Sequence, residues 1–146
     1  MYANTYKSYL NELNILNNRI LRIIQNKPLS TDVLELYSQY NTLPVDLLFI
    51  NQISILTHNY MYSRDSVPIG ITTLFDTNSI LHTHYTRHAN DLHAIGHSNN
   101  FGQRCVNYKF SKIWNDLPQD VKNIAPINIF KMEIKHYLLS RAEHPH

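Results

Sequence analysis

Glycine occurs only three times in this 146-residue chain, and cysteine and tryptophan once each. The single cysteine, Cys105, excludes an internal disulfide framework and fits a reducing compartment, cytoplasm or nucleus. No Gly-rich phosphate loop, nucleophile elbow, HExxH or zinc-finger spacing is present, so the common sequence marks of catalysis are missing. No apolar run reaches the ~20 residues that cross a bilayer, and no membrane partner is expected. Met1-Tyr2-Ala3-Asn4 offers neither a basic n-region nor a continuous apolar h-region, which argues against secretion. Charge is scarce as well. At 16% charged residues and a formal net charge of +2, the balance is too small to argue for nucleic acid.

What is present suits a folded domain. Hydrophobic residues make up 43% of the chain, enough for one domain or two small ones sharing a core. The few charges are unevenly placed. Residues 1–27 carry a surplus of +3, residues 28–81 a surplus of −4, and residues 82–112 again +3. Two weakly basic zones therefore flank an acidic one, a pattern that suits either a phosphate-facing surface or a solvated face. Asn, Ile and Tyr are heavily used; an AT-rich coding sequence yields the same bias, and no function is attached to it.

Helical periodicity dominates the first part of the chain. Tyr6, Leu10, Leu13, Leu16, Ile20 and Ile23 recur at helical spacing with Asn18, Arg22 and Asn26 opposite, predicting a helix from Thr5 to Gln25 that ends before Pro28. Asp32 and Glu35 have capping-box spacing for a short second helix through Tyr40. Pro44 suits the first turn of a third helix reaching Tyr62. Phe49, Ile53, Leu56 and Tyr60 form one stripe on it, and Leu48, Ile55 and Tyr62 a second, which marks it as the central, most buried helix. From Ser66 to Ile80, Pro68 and Gly70 interrupt the pattern and an irregular loop is expected. Gln103 to Tyr108 is the best strand candidate. A short helix is predicted over Phe110 to Asp116 and a helical turn over Pro118 to Asn123. A last helix from Ile127 to Ser140 buries Ile127, Phe130, Ile134, Tyr137 and Leu138 and exposes Lys131 and Lys135.

Candidate chemistry is thin. His82, His84, His88, His93 and His97 cluster in sequence, and imidazole is a good zinc ligand, but structural zinc sites favour cysteines and only Cys105 is at hand. Polar loop histidines are the simpler reading, and no metal or other cofactor is expected. Trp114 can stack on a base, yet beside Ile113 and Leu117 an indole more often anchors a core. Arg19 and Arg22 suit a template or primer groove or a solvated helix face, and Arg87 with Thr86 a phosphate or a structural hydrogen bond. Cys105 beside Arg104 has no catalytic His–Cys spacing, so a buried thiol is the default.

These marks, taken in order, resemble the C-terminal tail of non-LTR (LINE-type) retrotransposon reverse transcriptases of the jockey-like and chicken-repeat-like group. Leu13, Asn18 and Ile20-Leu21-Arg22-Ile23-Ile24 look like the helix that follows the polymerase palm there. Leu36-Tyr37, Leu43-Pro44 and Met61-Tyr62 are similar to the elements after it, and His82, Thr86, Arg87, Asn90, Leu92 and Gly102 to those beyond a variable loop. Tyr108, Trp114-Asn115, Leu117-Pro118, Phe130-Lys131 and Tyr137-Leu138-Leu139 complete the match across nearly the whole chain. Lys109-Phe110 departs from the Arg-Gly usual in that group, and His97 stands where arginines are common; both lower the expected affinity for nucleic acid.

The resemblance implies a non-catalytic fragment of an RNA-directed DNA polymerase, because no Tyr-x-Asp-Asp occurs and Asp46, Asp65, Asp76 and Asp91 are scattered. The expected fold is mainly α: a thumb-like N-terminal three-helix bundle over residues 1–66, a linker over 67–81, and a small mixed α/β module over 82–146. The expected partners are RNA or DNA, held weakly by Arg19, Arg22, Arg87, Arg104, Lys109 and Lys112, with Trp114, Asn115 and Pro118 as structural anchors. The alternative is a helical interaction module without nucleic-acid function, in which an apolar helix face left uncovered by a missing polymerase body self-associates.

Overall fold

The computed structural model describes residues 7–73, 75–78, 91–93 and 106–143. Along these residues run α1 (Lys7–Ile24), α2 (Val33–Gln39), α3 (Val45–Tyr62), a 3-10 turn (Arg64–Ser66), α4 (Ile69–Thr72), α5 (Val106–Asn115), α6 (Gln119–Lys122) and α7 (Ile127–Glu143). The chain is mainly helical, as its periodicity predicts. The strand expected over Gln103 to Tyr108 is not formed where it is described: residues 106–108 open α5, because Phe110 and Trp114 make a buried stripe at helical spacing along it. The one β feature among the described residues is an isolated antiparallel bridge between Thr77 and Leu92. In the segment from Ser66 to Ile80, expected as an irregular loop, the described residues contain the short α4 and bury Val67 and Phe75.

The described helices fall into two compact units. The first takes α1, α2, α3 as far as residue 51, and α7 from residue 132; the second takes residues 52–131.

In the first unit, glycine's usual work at helix ends is done by asparagine. Asn26 and Asn41 carry the positive φ values of 51° and 45°. Around Asn26, the Lys27 amide donates to the Arg22 carbonyl at 2.9 Å and the Asn26 amide to Ile23 at 3.2 Å. Around Asn41, Thr42 donates to Tyr37 at 2.9 Å and Asn41 to Ser38 at 3.0 Å. Both sets are Schellman closures, and asparagine tolerates the left-handed conformation they need. At the other end of α2, the Asp32 carboxylate accepts from the Leu34 amide at 3.1 Å, capping that helix.

The orientation of α1 reverses the sequence expectation. Leu10 and Leu21 are buried, but Leu13, Leu16, Ile20 and Ile23, expected in the core, are exposed. Asn14, Asn17, Asn18, Arg22 and Gln25 are drawn inward instead and half-buried. The reason is hydrogen bonding. Asn17 Nδ2 donates to the Tyr37 hydroxyl at 3.0 Å, and that hydroxyl donates to Asn18 Oδ1 at 2.8 Å. Gln25 Nε2 donates to the Leu36 carbonyl at 2.8 Å, an Arg22 guanidinium nitrogen to the Thr31 carbonyl at 3.1 Å, and the Val45 amide to Asn14 Oδ1 at 3.3 Å. The Leu36 carbonyl and the Val45 amide belong to helix ends, where backbone groups have no partner of their own. Leu21, Leu36 and Tyr37, with Val33 against them, form the small apolar cluster beneath this polar layer.

The second unit is built on aromatic rings. His58 stacks between Tyr62 at 4.7 Å and Phe130 at 4.2 Å, and Phe130 packs on Trp114 at 6.0 Å. Phe75 meets Tyr60 edge-on at 5.6 Å and stacks on Phe110 at 5.4 Å. The second face of α3 is therefore polar where it is buried, with Ser54, Thr57 and His58 inside, while Leu48 and Tyr62, expected in an apolar stripe, are exposed. Irregular backbone is tied down by side chains. Asn115 accepts from the Leu92 amide at 3.1 Å and donates to the Leu92 carbonyl at 2.8 Å, as a neighbouring strand would. Lys122 Nζ donates to the Asn115 carbonyl at 3.0 Å and pairs with Asp91 at 3.2 Å.

Leu92 is fully buried, so Asn115→Ala strands both of its backbone groups. A loss of about 2–4 kcal/mol in urea unfolding is expected, since each orphaned group costs roughly 1–3 kcal/mol; a loss below about 1 kcal/mol would mean the clamp carries no weight.

Candidate interaction surface

Along the 18-residue α1, large apolar side chains form a stripe that faces outward. Leu13 is 43% exposed, Leu16 53%, Ile20 52% and Ile23 79%, with Tyr9 and Ile24 at its margins. The stripe exists because the helix spends its polar side on Tyr37 and on the backbone of α2 and the connecting turns. Glu12 and Arg19 lie exposed on its flank, and neither makes an ion pair or hydrogen bond among the described residues.

Beside the stripe's C-terminal end is an open depression of about 550 Å³ lined by Arg19, Arg22, Ile23, Asn26, Lys27 and Leu29. It gathers three cations, two of them already engaged. Arg22 holds the Thr31 carbonyl, and Lys27 pairs with Glu35 at 2.9 Å. Arg19 alone among the three projects without a partner in the described residues.

The other expected site residues are dispersed. Arg87 and Arg104 lie outside the described residues, as do Thr86, Cys105, His82, His84, His88 and His97. Lys109 is half-buried and Lys112 exposed, both on α5 in the second unit, whereas Arg19 and Arg22 belong to the first. Trp114 is 2% exposed and packs on Phe130, so its ring offers no face for a base. Asn115 clamps Leu92, and Pro118 precedes α6, its carbonyl accepting from the Lys122 amide at 3.1 Å. His93 faces Asn78 Oδ1 at 3.2 Å. No three His, Cys, Asp or Glu side chains among the described residues are placed to hold a metal, and no described helix is long and apolar enough to cross a membrane.

One chemically distinctive residue is not among the candidates drawn from the sequence. His58 is 1% exposed, and its Nε2 lies 2.7 Å from the Ile124 carbonyl, which requires that nitrogen to carry a proton. Nδ1 is buried with no partner among the described residues. Burial strips water from the charged form and holds the imidazole pKa below its ordinary value, only partly countered by the Ile124 carbonyl. The signal was available in outline: Ser54, Thr57 and His58 sit at helical spacing inside an otherwise apolar helix.

No protein-family model, no curated protein and no solved structure matches the chain.

The depressed His58 pKa fixes a sign. Below about pH 6.5 an unfolded histidine takes up a proton that the folded one resists. The stability contributed by neutral His58 is complete above that pH and is lost progressively on acidification toward the folded pKa. The urea midpoint should fall between pH 7.5 and pH 5, and His58→Phe, which keeps the ring stack, should flatten that slope. An identical slope in the variant would assign the acid sensitivity to other groups.

Proposed function

We propose that the protein is a non-catalytic helical interaction module that self-associates through the outward face of α1. The observation that supports this is the reversed orientation of that helix: its largest apolar side chains face solvent while its amides face the core. Apolar area left in water forgoes roughly 25 cal/mol per Å². A contiguous stripe rimmed by polar residues marks a docking surface more often than scattered exposed leucines do. Leu16→Asp with Ile20→Asp should convert a concentration-dependent mass in sedimentation or light scattering to a monomer while leaving the urea midpoint of the dilute protein nearly unchanged, because both side chains are half-exposed. A wild-type chain that is monomeric at every accessible concentration would overturn the reading.

A second reading is a weak grip on nucleic-acid phosphates, as the resemblance to a reverse transcriptase tail implies. The depression gathering Arg19, Arg22 and Lys27 favours it. Phosphate contacts are strongest at low salt, so anisotropy titrations of labelled single-stranded RNA at low and moderate salt should show salt-sensitive binding that Arg19→Ala weakens. Absence of binding at low salt would dismiss it.

A further inference from the structure

The outward stripe of α1 carries more information than its hydrophobicity. Tyr9, Leu13, Leu16, Ile20 and Ile23 follow one another at alternating steps of four and three, the seven-residue repeat of a two-helix seam. In heptad terms Leu13 and Ile20 occupy a positions, and Tyr9, Leu16 and Ile23 occupy d positions. Glu12 and Arg19 then both fall at g, the flank whose charges set partner and orientation in coiled coils. The opposite flank, with Leu10 and Asn17, is turned toward the chain's own core and is closed to a partner.

We infer that the occupant of this face is a second copy of the chain, with the two α1 helices antiparallel and centred between Asn14 and Ile15. The assignment rests on the self-association reading and deepens it by fixing orientation and register. In that register Leu13 packs against Leu16 of the other copy and Tyr9 against Ile20, each contact occurring twice by symmetry. Glu12 of one copy then lies about 3 Å along the axis from level with Arg19 of the other, within reach of these long side chains. Two ion pairs close the accessible flank.

The alternatives satisfy the charges less well. Sliding the antiparallel pair by one heptad in one direction brings Arg19 beside Arg19 of the other copy; sliding it the other way brings Glu12 beside Glu12. A parallel pair in register sets Glu12 opposite Asn17 and Arg19 opposite Ile24, with no ion pair formed. Like charges at such positions are destabilising and opposite ones stabilising. Only the antiparallel, centred register matches each charge with its complement.

The full chain tests this directly by sedimentation across a concentration series. Glu12→Arg and Arg19→Glu should each weaken the dimer roughly tenfold, since each replaces two attractions at the rim with two repulsions. Both side chains are exposed, and far-ultraviolet circular dichroism should show the fold intact. Mixing the two single variants should restore association as a heterodimer, and the double variant Glu12→Arg with Arg19→Glu should restore the homodimer. Single variants that dimerise like the wild type, or a mixture that fails to recover, would overturn the register while leaving the self-association reading standing. A wild-type chain that never dimerises would overturn both.

Discussion

The hydroxyl of Tyr37, held between Asn17 and Asn18, decides which way the first helix faces. Tyr37 is 1% exposed, so its phenol oxygen has no water to fall back on. Burial raises its pKa, and the hydroxyl stays protonated with one donor to place and lone pairs to fill. Two adjacent asparagines on one turn of α1 supply both partners. Once that turn points inward, Asn14, Arg22 and Gln25 point inward as well, and each bonds a backbone group at a turn or helix end. An unmet buried backbone group costs about 1–3 kcal/mol, so turning this series outward would set that cost, at several groups, against the apolar area gained.

The second unit applies the same solution to its irregular segments. Tyr60 donates to the Phe75 carbonyl at 2.6 Å, Tyr62 to the Lys122 carbonyl at 2.7 Å, and Ser111 to the His93 carbonyl at 3.0 Å. His58 does likewise for Ile124, and Asn115 serves both backbone groups of Leu92. A chain whose described residues contain one isolated β-bridge has little ladder to pair its non-helical backbone, and side chains must take over. The heavy use of asparagine and tyrosine thereby acquires a structural role: amides and phenols reach across to backbone, and asparagine also fills the left-handed helix ends that scarce glycine leaves open.

Apart from α4 and the first turn of α5, the helices were legible because their apolar positions recur at helical spacing and because Asp32, Pro44 and Pro118 mark starts. Facing was not. Periodicity reports that α1 has two sides, but which side is buried depends on what α2 offers, and α2 is a seven-residue helix whose buried residues are Leu36 and Tyr37. An apolar stripe needs an apolar groove of similar length, and none is provided there. The strand expected over Gln103 to Tyr108 gives way to helix at its described residues, 106–108, for a related reason: alternation over a few residues is easily outweighed by a helical stripe, here Phe110 and Trp114. Of the cations gathered by sequence, Arg19 and Arg22 do share a surface, but Arg22 is committed to backbone, a use that its charge does not advertise.

The two faces of α1 are consequently coupled. Its inward face contributes hydrogen bonds whose net worth is modest, about 0.5–1.5 kcal/mol each, because water was a competent partner in the unfolded chain. Its outward face holds the larger hydrophobic contribution, available only when something covers it. A partner that binds the folded helix and not the unfolded chain stabilises the fold by mass action. The orientation that satisfies Tyr37 therefore leaves that apolar area in water in the isolated chain, and under the proposed self-association the stability of the helix would depend on concentration. A helix turned the other way would have buried its leucines, orphaned the backbone of its neighbours, and offered no surface to share.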